Sequence, residues 1–433
     1  MNGRILLDLL YIDPGTGSML FAILIGIAGA AGYAVRTAVV KLRFIMSGGK
    51  KAEANKDTIP YVIFGEDKRY WTVFEPICRE FDARGIDVTY LTSSENDPAL
   101  TCTYPHVHAE FSGEGNKTYA RLNLLNADIV LSTTPSLDVY QWKRSKNVKY
   151  YVHTLHAPGE VVLYRMFGLD YYDAVMIAGA HQHDEIRQLE FMRNLPAKEL
   201  PMVGMPYLDD MRARVESHKR AQMAQRLQQG DAYGKSAAPT VLIAPSWGPA
   251  ALLSRYGSRI LDAILKTGCR IIVRPHPQSY ISEKDLIGKL KQAYPESERI
   301  SWNNDTDNFE CLANADILVS DFSGVIFEFT LIHDKPVLYT STDFDVSLYD
   351  AWWLDKTLWT QWALPQLGME LTTAGIDRIG DMISTCLNDA RFERGRNAVR
   401  ASCWQHPGEG AKRAVDYLVA KREQLVEGQE NAC

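Results

Sequence analysis

Two periods of apolar and polar residues alternate along this chain. Short runs such as Tyr61-Val62-Ile63-Phe64, Ile129-Val130-Leu131 and Ile317-Leu318-Val319 are apolar at every position, as in strands buried on both faces. Between such runs the apolar residues fall three and four apart, as at Val325, Ile326 and Phe329 or at Ala411, Ala414, Val415 and Leu418, which predicts helices with one buried stripe. Strands are predicted at 61–64, 87–91, 129–132, 149–153, 174–177 and 202–203, with helices at 71–84 and 181–192. A polar, Gln-rich stretch at 212–235 has helical character and reads as a connector. The rhythm then restarts, with strands at 240–244, 270–273, 316–320 and 336–339 and helices at 250–266, 283–294, 323–332 and 408–427. Strand and helix in alternation mean parallel sheets covered by helices, so the pattern predicts two Rossmann-like halves, 59–235 and 236–433, facing a cleft.

Ahead of the first half lies a segment of another kind. Residues 19–35 carry no charge, and an apolar stretch of about 17 to 22 residues approaches the length that crosses a hydrocarbon core of about 30 Å. Arg36, Lys41, Arg43, Lys50 and Lys51 follow it, which places the remainder of the chain on the cytoplasmic side. Residues 1–45 are therefore expected to form a membrane anchor and 46–58 a linker. A signal peptide would carry the opposite charge order.

Composition narrows the classes further. A net charge of −6 argues against broad nucleic-acid binding, and seven scattered cysteines without Cys-x-x-Cys spacing fit neither a disulfide framework nor a zinc site.

The candidate chemistry sits where strands end. In the second half, residues 316–328 run from a buried strand through Ser320, Asp321, Phe322, Ser323 and Gly324 into a helix. Unpaired N–H groups and the positive end of the helix dipole make such a turn a cradle for phosphate. Asp321 is expected to order the turn, and Glu328, roughly one helical turn on, to reach ribose hydroxyls. Arg274-Pro275-His276-Pro277 ends a second strand, so two prolines restrict the backbone that presents a guanidinium and an imidazole. Ser246, in Ala244-Pro245-Ser246-Trp247, ends a third. In the first half, His153 and His156 close another strand, where an imidazole suits removal of a proton from an attacking hydroxyl. The pairs His106/His108, His181/His183, Asp305/Asp307 and Asp343/Asp345 are read as structural, so no metal site and no cofactor are predicted.

Taken together, Ala244-Pro245-Ser246-Trp247, Arg274-Pro275-His276-Pro277, 316–328 and the Asp334-Lys335-Pro336-Val337 turn resemble the CDP-glycerol glycerophosphotransferase family of teichoic-acid-type transferases. The family's His-Gly-Thr-Pro motif is loosely similar to His156-Ala157-Pro158-Gly159, and Gly324 stands where the family has a second serine. The resemblance implies a GT-B fold and transfer of a polyol phosphate from a CDP-activated donor to a hydroxyl of an envelope glycan or lipid-linked acceptor at the membrane, with release of CMP. It implies His156 as the base, with His153 the alternative, and Ser246, Arg274, His276 and Ser323 on the pyrophosphate. A GT-B glycosyltransferase using a sugar nucleotide and a nucleotide-binding scaffold without turnover are the competing readings.

Overall fold

The computed structural model describes residues 58–228, 238–305, 307–341, 346–354 and 357–430. The expected anchor and nearly all of the linker lie outside the described residues, as do Asp343 and Asp345. Among the described residues no helix is long and apolar enough to cross a membrane. Ile59–Cys433 forms one compact unit built on two six-stranded sheets.

The first sheet comprises β1 (Ile59–Gly65), β2 (Val88–Thr92), β3 (Val107–Phe111), β4 (Asn126–Ser132), β5 (Asn147–Thr154) and β6 (Ala174–Met176), in the order β3-β2-β1-β4-β5-β6. The second comprises β7 (Thr240–Ile243), β8 (Arg270–Val273), β9 (Ile300–Trp302), β10 (Ile317–Ser320), β11 (Val337–Tyr339) and β12 (Gly368–Glu370), in the order β12-β11-β10-β7-β8-β9. Every strand pair is parallel. Read from β9 the second order repeats the first, so each sheet reverses direction once: between β1 and β4, and between β7 and β10. Crevices at the carboxyl ends of those strand pairs are where open α/β sheets bind ligands.

The central strands explain the apolar runs. Ile317, Leu318 and Val319 are all fully buried because helices cover both faces of β10. β3, β9 and β12 escaped the sequence reading; they are three to five residues long and stand at or next to sheet edges. The run at 202–203 makes only an isolated bridge between Met202 and Ile177. The helix expected over 250–266 is two, Leu252–Tyr256 and Ser258–Lys266, parted at Gly257, whose φ of +45° lies in the left-handed region. That expected over 323–332 is an α-helical turn, Val325–Phe327, continued by π-helical residues Glu328–Ile332.

The chain crosses between the halves more than once. Helix Gly410–Glu430 buries Ala414, Val415 and Leu418 against Phe74, Ile77 and other residues of the first half, so the closing helix packs outside the half to which its sequence position assigned it. Asp350, from the 346–354 segment, accepts from the Phe167 and Gly168 N–H groups and pairs with Arg193, which also binds Asp170 at 2.6 Å. All three charged side chains are under 10% exposed. Removing one partner of such a buried group typically costs about 3–5 kcal/mol.

Candidate active site

At the switch point of the second sheet, one carboxylate braces two loops. Asp321 is buried and accepts hydrogen bonds from the N–H groups of Ser246 and Leu252, each 2.8 Å away. Burial pushes its carboxyl above the usual carboxylate range while those two bonds pull it back. Ser320, also buried, donates its hydroxyl to the Ala244 carbonyl at 2.6 Å, so it ties β10 to β7 and does not face a ligand. The first bonds of the following helix run from Ile326 N–H to Ser323 C=O and from Phe327 N–H to Gly324 C=O. The Asp321 and Phe322 N–H groups turn to the Asp321 carboxylate, which leaves those of Ser323 and Gly324 to face a ligand. A Cβ on Gly324 would meet nothing within 4 Å, so the family's serine would fit there without clash.

Beside this turn, His276 accepts the Gln278 N–H at Nδ1 (3.1 Å), which leaves the neutral ring's proton on Nε2. Burial first, and then the Arg69 guanidinium of the first half, lower its pKa. His276 is thus a neutral donor at neutral pH. Arg274 turns elsewhere: it donates to the Asn303 side chain and to the Asp305 carbonyl at 2.9 Å. Glu328 accepts from Asn308 Nδ2 at 2.9 Å; burial raises its pKa, opposed by Asn308 and by the Arg274 charge.

The edge of the first sheet is assembled differently. His156 follows β5, and its Nδ1 lies 2.9 Å from Thr133 Oγ1 at the end of β4. Tyr70 and Tyr164 flank the ring, with centroids 5.4 and 6.0 Å away. Burial lowers the His156 pKa, so the imidazole is neutral near pH 7 and can accept a proton. His153 is fully buried between the rings of Tyr164 and Tyr172, and its Nε2 lies 3.2 Å from the Tyr164 hydroxyl. The alternation of a strand puts it on the covered side, away from the cavity.

A cavity of about 530 Å³ lies between the two edges. Its walls include His156, Glu160 and Tyr164 from the first half and Asp321, Ser323 and Gly324 from the second. Of the predicted site residues, these walls unite His156 with the 321–324 turn. Ser246, Arg274, His276 and Glu328 stand outside them, His276 on the flank near Asp321, and His153 and Ser320 are in the core. Glu160 closes one side by accepting from the backbone and hydroxyl of Thr360. Next to it His181 bonds the Pro158 carbonyl (3.1 Å) and stacks on Trp359, 4.6 Å between centroids, while His183 points to exposed Asp184. His106 and His108 meet the same carboxylate, Asp87, at 3.0 and 3.1 Å.

Thr133, Tyr70, Arg69 and Glu160 were absent from the sequence reading. Each is an ordinary residue in its local context, made relevant by a partner on another strand end or in the other half. The only local signal was that Thr133 follows a fully buried strand.

The comparisons with known proteins fit this geometry. The wall teichoic acid polymerase TagF superposes with a TM-score of 0.55 at 13% identity, over 93% of this chain and 99% of that one. A TagF variant soaked with CDPG gives a TM-score of 0.53 at 14% identity, over 90% and 98%. The UDP-GlcNAc 2-epimerase of Neisseria meningitidis bound to UDP-GlcNAc gives 0.54 at 11% identity, over 84% and 100%. At such identities the likeness speaks for the fold. No curated protein sequence matches the chain. A family match does: residues 169–351, which hold the Ser246, Arg274–Pro277 and 316–328 motifs, match CDP-glycerol:poly(glycerophosphate) glycerophosphotransferase. That match spans 183 of the 433 residues, so it marks a likeness of this region to the family.

Proposed function

We propose that the protein transfers a polyol phosphate, glycerol phosphate in the first instance, from a CDP-activated donor to an acceptor hydroxyl. The observation that carries this reading is the cavity that sets His156 against the Ser323–Gly324 turn, in a chain whose residues 169–351 match this family. The donor's pyrophosphate lies on that turn, with Ser246, Ser323 and the His276 Nε2–H toward its oxygens and Arg274 adding positive charge from behind the Asn303 loop. Glu328 takes ribose hydroxyls. His156 Nε2 accepts the acceptor's proton as its oxygen bonds to the β-phosphorus. The bond from that phosphorus to the bridging oxygen breaks, and CMP leaves with the electron pair. Such a reaction depends mainly on alignment and on neutralising charge, which suits fixed N–H groups and neutral histidines.

The acceptor is a hydroxyl of an envelope glycan or its lipid carrier, which places the enzyme at the cytoplasmic face of the membrane with residues 1–45 as anchor. The epimerase likeness keeps a sugar-nucleotide transferase as the second reading. Incubation with CDP-glycerol, CDP-ribitol and UDP-sugars, with identification of the released nucleotide, separates them. CMP is expected; release of UDP overturns the proposal, and nucleotide binding without turnover leaves a scaffold.

A further inference from the structure

A second, smaller cavity of about 190 Å³ opens at the carboxyl ends of β1 and β4, the switch point of the first sheet. It shares no wall residue with the larger cavity. Its walls include Glu66, Tyr119, Thr134, Ser136, Tyr140 and Trp142. Two of them carry buried polar atoms that have no hydrogen-bond partner among the described residues, Thr134 Oγ1 and Trp142 Nε1. Unpaired groups of this kind cost about 1–3 kcal/mol each. Tyr119 donates to one oxygen of Glu66 at 3.0 Å, and the carboxylate is only partly buried. Ser136 holds a φ of +67°, pinned by its N–H bond to the Gly168 carbonyl at 2.7 Å. Non-glycine residues kept in that region concentrate at ligand sites. Tyr140 stands 53% exposed at the rim, a flat apolar face over a polar floor.

The chemistry of this wall selects its ligand. It holds hydroxyl, amide and indole groups, one carboxylate and no cation. A phosphate would meet the Glu66 charge with no cation in the wall itself, the Arg69 guanidinium acting only from outside it, whereas vicinal hydroxyls can donate to that carboxylate while a ring packs on Tyr140. The site also adjoins the base. Thr134 follows Thr133, which bonds His156, and neighbouring strands lie only about 4.8 Å apart. We infer that this crevice is a distinct binding site for a neutral polyhydroxyl unit, a sugar residue of the acceptor, whose free hydroxyl it directs toward His156. The binding rests on the cavity alone; the delivery to His156 rests on the transferase reading above.

The test is ligand-observed NMR titration of the full chain with methyl glycosides of the gluco, galacto, manno and 2-acetamido series, beside glycerol 3-phosphate, with CMP titrated separately. At least one glycoside is expected to bind more tightly than glycerol 3-phosphate. Tyr140→Ala should weaken it roughly five- to tenfold, and Glu66→Gln should weaken the glycoside while improving glycerol 3-phosphate. CMP affinity should stay unchanged in both variants. Binding of no glycoside, tighter binding of glycerol 3-phosphate in the unmodified protein, or indifference to both substitutions overturns the inference. Failure of CMP to bind the unmodified protein would count against the transferase reading instead.

Discussion

At the edge of the second sheet a short turn, Phe322 to Gly324, lines the cavity, and a single carboxylate, Asp321, binds the backbone of the neighbouring 246–252 loop. At the edge of the first sheet the groups are side-chain rings and a hydroxyl: Tyr70, Thr133, His156 and Tyr164, drawn from four separate stretches of chain. The strand order is the same in both. The contrast follows the work each edge is proposed to do. A pyrophosphate needs several donors at fixed spacing, which a rigid turn supplies without reorganisation. A proton acceptor needs a tuned pKa, which a half-buried ring between tyrosines supplies. Specific substitutions can break this division.

The largest effect should come from His156→Ala. If the first edge holds the base and the second holds the nucleotide, turnover falls about 10²–10⁴-fold, while CMP affinity changes little. Steady-state kinetics and a CMP titration on one preparation check both. Parallel loss of CMP binding would mean that the two edges do not divide the labour.

Asp321→Ala attacks the other edge. The buried N–H of Leu252 and the part-buried N–H of Ser246 would lose their acceptor, at up to about 1–3 kcal/mol each. Denaturant unfolding should show a loss of roughly 2–4 kcal/mol, and CMP binding should weaken with it. His156→Ala, by contrast, should leave the unfolding midpoint nearly in place. Equal stability losses in the two variants would erase the distinction between a braced edge and an assembled one.

The same distinction explains what could be read from the sequence. The second edge was legible because its parts are contiguous: 316–328 encode strand, brace, turn and helix start in one stretch, and the Pro-His-Pro turn announces itself. Even there Ser320 ties two strands and Arg274 bonds a neighbouring loop, placements that a strand-end residue takes as readily as a place facing a ligand. The first edge was legible only as far as His156. Two histidines three apart on one strand end looked interchangeable, and burial alone separates them: His153 is sealed behind Tyr164 and Tyr172, and His156 lines the cavity. Thr133 and Tyr70 are brought to His156 by sheet topology, which single-sequence periodicity does not encode. The last helix is a parallel case, since its apolar stripe is plain in the sequence but the core that receives it is not.

The smallest expected effect sharpens the first edge further. Burial holds the His156 pKa below the ordinary value of about 6.5. A base must be unprotonated, so the acid limb of kcat/KM should lie below that pH, with activity retained above it. Thr133→Val replaces the hydroxyl beside Nδ1 by a methyl group of similar size. The imidazolium then loses an acceptor for its Nδ1–H, its formation becomes less favourable, and the limb should move to still lower pH. Orientation of the ring also loosens, so the plateau rate should drop by about three- to tenfold, the scale of one neutral hydrogen bond. A pH–rate profile of the variant reads both changes. A limb that moves upward, or a plateau unchanged within error, would show that Thr133 does not orient His156 and that the first edge owes its base to burial alone.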